Sequence, residues 1–308
     1  MIVRLAAIPD ERSRPQRGYS RTFRITQPET VGWSVAMLEV TYMRLRAFTQ
    51  NCVEDLQHLR NAHDMTVSVV TSASRPDLED EVDAAFRERW PEFIFHDPIP
   101  PKYLPRVHAY FAAYDVLLLV EGKVAAGGWG VPIAWDGTDE GLPQGYDHAL
   151  VQAVEDHEAG RTPTAFSFMA AAVHPDFDRQ GLATNALLAL TDRAAVDGIN
   201  HVFAPLRPTW KHKYPCVPMA RYATWTREDG LSIDPWIRTH QRMGARIVAP
   251  APDSMVIPGT ITEWEQWAGM PLPESGLYIV PDALNMLEVD REKDLAVYRE
   301  ENLWVQHR

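Results

Sequence analysis

The sequence predicts an α/β fold in which a central mixed and twisted sheet is flanked by helices and preceded by an N-terminal extension. The nine-residue apolar run "AFSFMAAAV" at 165–173 is typical of a strand buried on both faces, and a glycine turn leads from it into the helix-like segment 182–196. Two helix-like segments and a hairpin-like pair of apolar runs come before it. Short apolar runs separated by proline and glycine turns follow it.

The first 64 residues are predicted to form an N-terminal arm and a helical extension, followed by one catalytic domain over 65–308. Residues 1–30 are rich in Arg, Pro and Ser, a composition typical of a poorly ordered arm. Residues 31–63 carry a rough helical stripe of apolar side chains. This segment is expected to pack on the main domain or on a second subunit, which would give a homodimer.

Helical spacing of apolar residues continues in "RPDLEDEVDAAFRERW" at 75–90 and "PKYLPRVHAYFAAY" at 101–114. The runs "DVLLLVEG" and "KVAAGGWGVPIAW" then predict two strands joined by a tight turn at Glu121 and Gly122. The stretch 136–158 holds seven acidic residues and no Lys or Arg, and "YDHALVQAVEDHE" inside it is a plausible helix.

After the helix at 182–196, the run "HVFAPL" at 201–206 predicts a strand, and residues 207–233 predict a long irregular loop. The next helix has the clearest start and stop signals in the chain. Asp234 is placed as its N-cap, Pro235 at its first position and Gly244 just past its end. The runs "SMVIPG" and "GLYIVP" beyond it are interpreted as closing strands.

Composition excludes several classes of function. A net charge of -12 argues against a nucleic-acid partner, because phosphate backbones require clustered Lys and Arg. No run of about 18 apolar residues is present to span a membrane, and the N-terminus turns polar too early for a secretory signal, so a cytoplasmic location is expected. Cys52 and Cys216 lack metal-like spacing, and no metal site is predicted.

The turn "DRQGLAT" at 178–184 has two interpretations. It is either simple punctuation between a strand and a helix, or a site for an anion such as a phosphate. Backbone N–H groups entering a helix, together with the positive end of the helix dipole, favour a bound anion. Gly181 would allow close approach of the backbone, Ala183 would keep the wall thin, and Arg179 would add a charge-assisted contact.

The strand and turn together resemble the GCN5-related N-acetyltransferase (GNAT) superfamily. The central strand of that family ends in V-x-P, matched here by Val173, His174 and Pro175, and its next loop reads Q/R-x-x-G-x-G/A. Gly181 and Ala183 fit this loop, whereas Asp178 stands where the family has Gln or Arg. The later segment "THQRMGARIV" at 239–248 is similar to the family's Y-x-x-x-G-F step, so the resemblance spans about 66–308.

This resemblance implies an enzyme that moves an acetyl or other acyl group from coenzyme A to a small amine-bearing acceptor. His240 stands four residues before Gly244, where the family commonly has the tyrosine that protonates the departing thiolate, so His240 is the candidate acid. The other interpretation of His240 is a helix residue bonded to a neighbour. The central strand has no carboxylate to act as a general base. The implied coenzyme-binding residues are Ala171, Val173, Arg179, Gln180, Gly181, Leu182, Ala183 and Thr184.

The loop "RPTWKHKYPCVPMARYATW" at 207–225 concentrates basic and aromatic side chains in an otherwise acidic protein. Trp210, Lys211 and Tyr214 are therefore candidate substrate contacts, although aromatics that pin a surface loop to the core would give the same pattern. The acidic stretch 136–158 is either a solvated face or a sign that the acceptor is cationic.

The sequence is also compatible with two other functions. A GNAT-fold decarboxylase or lyase would act on the acyl-CoA itself, and the missing strand glutamate is compatible with it. A non-catalytic acyl-CoA-binding module would bind the same ligand without turnover.

Overall fold

A computed structural model describes residues 67–307. Its nine strands form one sheet in the order β1-β2-β3-β4-β5-β9-β8-β7, and β6 also pairs with β9. The strands are β1 (Val67–Thr71), β2 (Asp115–Val120), β3 (Lys123–Ile133), β4 (Ala165–Val173), β5 (His201–Leu206), β6 (Arg246–Gly259), β7 (Gly276–Tyr278), β8 (Leu287–Asp290) and β9 (Leu295–Gln306). The α-helices are α1 (Glu79–Phe86), α2 (Pro100–Phe111), α3 (Tyr146–Glu158), α4 (Leu182–Val196), α5 (Met219–Tyr222), α6 (Pro235–Arg242) and α7 (Ile261–Ala268). None of these helices is long and apolar enough to cross a membrane.

The predicted fold class is confirmed. The sheet is mixed, because β4 and β5 run parallel while the other described pairs are antiparallel. A parallel pair needs a crossover connection, and α4 provides it. The strands expected at 165–173 and 201–206 and the helices expected at 146–158 and 182–196 are present. The extension, its boundary at 64/65 and the dimer segment lie outside the described residues, so they stay predictions.

Helix α7 was not predicted, since the C-terminal region was interpreted as strands. The Thr260 hydroxyl accepts from the N–H of Glu263 at 3.3 Å, and the Glu263 carboxylate accepts from the N–H of Thr260 at 2.7 Å, a capping box that starts the helix. Gly269 ends it in the left-handed conformation, at φ 63°. The helix buries Trp264 against Phe93 and Tyr298, forming a second apolar cluster beside the main core.

The main core lies between the middle of the sheet and the helices α3 and α4. Helix α1 covers Leu117 and Leu119 on one face of β2, whereas Val116 belongs to the core cluster that contains Leu190 of α4. Successive side chains of a strand point to opposite faces, so α1 and α4 cover opposite faces of β2. The sheet is therefore covered on both sides where its central strands approach the site.

Candidate active site

The sheet opens between its two parallel strands. Strands β4 and β5 pair only through Ala165, Phe166 and Ser167, although β4 continues to Val173 and stays paired with β3 over its whole length. The second half of β4 therefore has no strand partner on its β5 side within the described residues. Backbone groups require hydrogen-bond partners, so the N–H and C=O groups on that side can bond to a ligand, except for the carbonyl of Val173, which accepts from Arg89.

A bulge explains why the strands separate. Trp129 of β3 pairs with Ala170 and the next residue, Gly130, pairs with Phe168, which leaves Met169 as an extra residue in β4. A bulge bends its own strand and increases the local twist. The bend begins at the position where pairing with β5 stops.

A cavity of about 320 Å³ lies at this opening. Its walls include backbone and side chains of β4 and β5, the segment that leads into α2, and the helix α6. The lining is mainly apolar, and its aromatic residues are Trp90, Phe95, Trp129, Tyr146, Phe168 and Trp236. Polar lining is limited to Arg207, His240, Glu300 and Asn302. Such an apolar cleft with a few convergent polar groups is typical of a small-molecule site.

The predicted anion loop enters α4 as expected. Gly181 is the N-cap of α4 at φ 78°, and no side chain caps the helix. A Cβ at this position would meet nothing within 4 Å, so backbone conformation rather than space requires the glycine. Arg179 is also left-handed, at φ 64°. The loop thus presents the first N–H groups of α4 at an exposed turn without an internal acceptor from a side chain.

Asp178, which departs from the family pattern, is paired with Arg89 from the segment after α1. The Arg89 guanidinium donates from Nη2 to Oδ1 of Asp178 at 2.6 Å and from Nε to the carbonyl of Val173 at 2.8 Å. One arginine therefore joins the end of β4 to the start of the loop. Its charge neutralises the carboxylate that stands where the family has Gln or Arg.

His240 lies in the cavity wall and is 1% exposed. Helix α6 places it there. The Asp234 carboxylate starts this helix by accepting from the backbone N–H groups of Trp236 and Ile237 at 2.9 and 3.1 Å. The same carboxylate accepts from the N–H groups of Thr209 and Trp210 and from the hydroxyl of Tyr222, which ties the 207–233 loop to α6.

The surroundings of His240 favour the neutral imidazole. Its Nδ1 lies 2.7 Å from Nε2 of His307, and its Nε2 is buried without a hydrogen-bond partner among the described residues. Burial, and next the charge of His307, hold the pKa of His240 well below 6.5. The ring is thus bonded to a neighbour, as one interpretation expects, and the residue also forms part of the cavity wall.

A polar chain runs along the opposite wall. Glu300 is fully buried and accepts from Nε of Arg207 and from the hydroxyl of Tyr298, both at 3.0 Å, and from the amide of Asn302 at 3.0 Å. Asn302 in turn accepts from Ser254 at 2.5 Å, and the hydroxyl of Ser254 accepts from the backbone N–H of Tyr146. Every side chain of this polar chain is hydrogen-bonded, so its position is fixed, and the charges of Arg207 and Glu300 cancel each other.

Two further carboxyls lie behind this wall. Asp97 is 1% exposed, and its Oδ1 accepts from the N–H of Ile99 at 2.8 Å. Burial raises the pKa of Asp97 to about 6, and burial and the neighbouring Asp97 raise the pKa of Asp147 to about 8. Oδ2 of Asp97 and Oδ1 of Asp147 find no donor on any other residue of 67–307. The two side chains interact directly and share one proton near neutral pH, which leaves one negative charge.

Three other acidic residues of the stretch 136–158 are paired with arginines. Asp139 pairs with Arg246, the buried Asp156 with Arg161, and Glu158 with Arg106. Asp147 alone of these four turns inward to a carboxyl partner.

The three candidate substrate contacts in the 207–225 loop do not line the cavity. Lys211 is fully buried and its ammonium donates to the carbonyls of Leu284 and Tyr214 at 2.5 and 3.2 Å. Tyr214 packs edge-on against Trp225, and Trp210 lies under the ammonium of Lys213. This placement supports the alternative interpretation, in which these side chains pin the loop to the core. Of the coenzyme-binding candidates, Ala171 lines the cavity, and the others continue from the strand end into the loop.

Sequence reasoning missed Arg89, Asp97, Asp147 and Glu300 as site residues. For Glu300 the sequence did contain a usable signal. One face of β9 carries three polar or aromatic residues at every second position, Tyr298, Glu300 and Asn302. An acidic residue on the buried face of a strand marks a functional or ion-paired position.

Known proteins of similar sequence or structure identify the family of this chain. No family model matches the chain. It is 32% identical over 285 residues to the arginine N-acetyltransferase avaD of Aspergillus versicolor, covering 82% of this chain and 98% of that protein. Similar solved structures include the loading GNATL domain of CurA from Lyngbya majuscula (16% identity, TM-score 0.48, 78% of this chain and 96% of that chain). They also include the GphF GNAT-like decarboxylase in complex with isobutyryl-CoA (16% identity, TM-score 0.45, 78% and 97%). With the opened sheet and the glycine loop, the relationship to avaD shows that this chain belongs to the GNAT superfamily and is an acyl-CoA-dependent N-acyltransferase.

Proposed function

We propose that the protein acetylates an amine of a small acceptor that carries a second, cationic group, with arginine as the model acceptor. The observation that carries this proposal is the cavity at the β4–β5 opening, with aromatic walls, a neutral histidine and buried carboxyls on one side. The similarity to an arginine N-acetyltransferase supports the same class of acceptor.

Coenzyme A is proposed to bind along the open edge of β4. The N–H groups at the start of α4 would hold its pyrophosphate, and Arg179 would add positive charge, while Arg89 neutralises the nearby Asp178. The pantetheine arm would then bond to unpaired backbone groups near Ala171 and Val173. The same N–H groups can polarise the thioester carbonyl, where charge develops as the amine attacks.

The acceptor is proposed to occupy the side of the cavity nearest Trp90, Trp129 and Tyr146. Aromatic faces attract cations, and the Asp97–Asp147 pair adds one negative charge behind this wall. Arg207, the cationic residue of the lining, is already paired with Glu300. The local field therefore favours a positively charged acceptor over a neutral one.

His240 is proposed to handle the proton of the attacking amine. Its neutral form and its unpartnered Nε2 at the cavity wall suit a proton acceptor better than an imidazolium acid. This assignment also supplies the base that the central strand lacks. Replacement by Phe keeps the ring packing against Trp236 and is expected to lower kcat by about a hundredfold.

The test is a panel of acceptors with acetyl-CoA, read by release of the coenzyme thiol and by the mass of the product. L-Arginine and L-citrulline form the matched pair, because the neutral urea of citrulline replaces the guanidinium at nearly constant shape. We expect kcat/KM for arginine to exceed that for citrulline by at least about tenfold, the value of one charge-assisted contact. Equal values would refute the cationic acceptor. Carbon dioxide release from a malonyl-type thioester without any acceptor would instead indicate the decarboxylase alternative.

A further inference from the structure

The histidine of the cavity wall is bonded to a second histidine at the end of β9. The two rings meet through Nδ1 of His240 and Nε2 of His307 at 2.7 Å. The backbone N–H of His307 donates to the carbonyl of Val202 at 2.9 Å, so β5 fixes the position of this residue. The ring of Phe168 packs against both imidazoles, with centroids 6.4 and 5.4 Å away. This geometry makes the ring pair part of the fold and not a flexible contact.

Burial differs between the two rings. His240 is 1% exposed, whereas His307 is half-buried. Within residues 67–307, the rings against His240 are Trp236 from α6, Phe168 from β4 and His307 from the chain after β9, and His307 is the titratable group among these three. A proton that reaches His240 can therefore pass to His307.

The hydrogen bond also orients the buried ring. A bond between two neutral imidazoles contains one N–H and one lone pair. When Nδ1 of His240 is the donor to Nε2 of His307, Nε2 of His240 is left with an unshared lone pair, as a proton acceptor must be. The opposite tautomer would present an N–H and would not accept.

We propose that His307 is a positioning and proton-relay residue that sets the tautomer of His240 and carries its proton toward solvent. The inference rests on the proposed role of His240. As the amine nitrogen bonds to the thioester carbon, the carbon–sulfur bond breaks and its electron pair stays on sulfur. The proton lost by nitrogen binds Nε2 of His240 while the Nδ1 proton moves to Nε2 of His307. His307 releases its Nδ1 proton to water. The departing thiolate then takes the Nε2 proton of His240, the proton between the rings returns to Nδ1 of His240, and His307 regains a proton from water. Coenzyme A therefore leaves as the thiol, and both rings recover their starting tautomers.

The test compares His307→Ala and His307→Gln with the wild type, using acetyl-CoA and the best acceptor of the panel. The glutamine carbonyl can accept the hydrogen bond from His240 but cannot carry a proton. We expect kcat to fall by about a hundredfold in the alanine variant and by about tenfold in the glutamine variant, with KM for acetyl-CoA within about twofold. Exogenous imidazole is expected to restore part of the alanine variant's rate. The acidic limb of the wild-type pH profile, where a proton acceptor loses activity as it is protonated, is expected to change shape in both variants. The exposed His148→Ala variant is the control and keeps the wild-type profile.

Two results would overturn the relay. A His307→Ala enzyme with near wild-type kcat and pH profile, alongside an impaired His240→Phe enzyme, would remove His307 and leave the proposed function standing. A loss of rate that follows a loss of melting temperature, without imidazole rescue and without a change of pH profile, would reduce His307 to a structural contact. Full activity of His240→Phe would instead remove the proposed role of His240 itself.

Discussion

Replacing Asp147 with Asn is expected to stabilise the protein above neutral pH. The pKa values of Asp97 and Asp147 are raised from 3.8 to about 6 and about 8, so between these pH values the folded protein keeps one proton on the pair. The unfolded chain has lost that proton, because its carboxyls titrate near 4. Folding stability therefore falls as pH rises through this window, and the contribution is largest at acidic pH.

The size of the effect follows from one proton. A difference of one bound proton changes the unfolding free energy by about 1.4 kcal/mol per pH unit. Because Asp147 is itself half ionised near pH 8, its contribution between about pH 6 and about pH 8 is just over 2 kcal/mol. An asparagine at 147 imitates the protonated carboxyl, since its amide can donate to Asp97, and it removes this slope. For a domain of this size, about 2 kcal/mol corresponds to roughly 4–8 °C in melting temperature.

The assay is thermal unfolding followed by circular dichroism at about pH 6, 7 and 8 and constant ionic strength. The Asp147→Asn variant should already melt above the wild type at about pH 6, because the unfolded Asp147 has lost its proton there, and the difference should grow steadily up to about pH 8. Glu140→Gln, at an exposed position of the same acidic stretch, is the control and should follow the wild type. Parallel curves for Asp147→Asn and wild type would refute the shared proton. A variant less stable at every pH would show that the ionised carboxylate is needed for folding.

Two predictions concern the loop and the helix that frame the cavity. Arg89→Ala should weaken coenzyme A binding by about tenfold, measured by calorimetric titration. The reason is that the Asp178 carboxylate loses its cationic partner and repels the anionic ligand. Adding Asp178→Asn to the Arg89→Ala variant should restore most of the affinity. Asp234→Ala should lower the unfolding free energy by about 4 kcal/mol in urea denaturation, because five donors lose a buried acceptor, and Asp234→Asn should cost about half as much.

Unchanged coenzyme affinity in Arg89→Ala, or no recovery in the double variant, would mean that the Arg89–Asp178 pair only fastens the strand end. A loss below about 1 kcal/mol in Asp234→Ala would mean that water replaces the carboxylate at those donors, and that the 207–233 loop holds α6 in place without it.

The fold was largely predictable because its central elements carry strong local signals. The run at 165–173 is apolar throughout and the helix at 182–196 begins at a glycine, and both patterns depend on neighbouring residues alone. Helix α7 was missed although Thr260 and Glu263 spell a capping box, since the surrounding proline and glycine turns favoured strands. In this segment the capping box favours a helix and the turns favour strands, and the helix is the structure that buries Trp264.

The site was predictable only in part, because its polar groups converge from distant positions. Glycine spacing identifies the loop, but the partner of Asp178 is 89 residues away, at Arg89. The Asp97–Asp147 pair is likewise formed by tertiary packing and leaves no local pattern. Lys211 shows the opposite case, in which a residue expected at the site from its charge lies outside the cavity lining. Its charge marked it as a ligand contact, yet backbone carbonyls that only the folded chain brings together satisfy its ammonium.

The tie between Arg89 and the loop has a consequence for the order of events in turnover. Arg89 holds the loop and the end of β4, while the next residue, Trp90, forms part of the cavity wall. A coenzyme seated on the loop would fix the backbone of this segment before an acceptor enters. We therefore expect an ordered sequence in which the acyl donor binds first, completes the wall against which the amine docks, and leaves last, so that both substrates are present together when the acyl group moves.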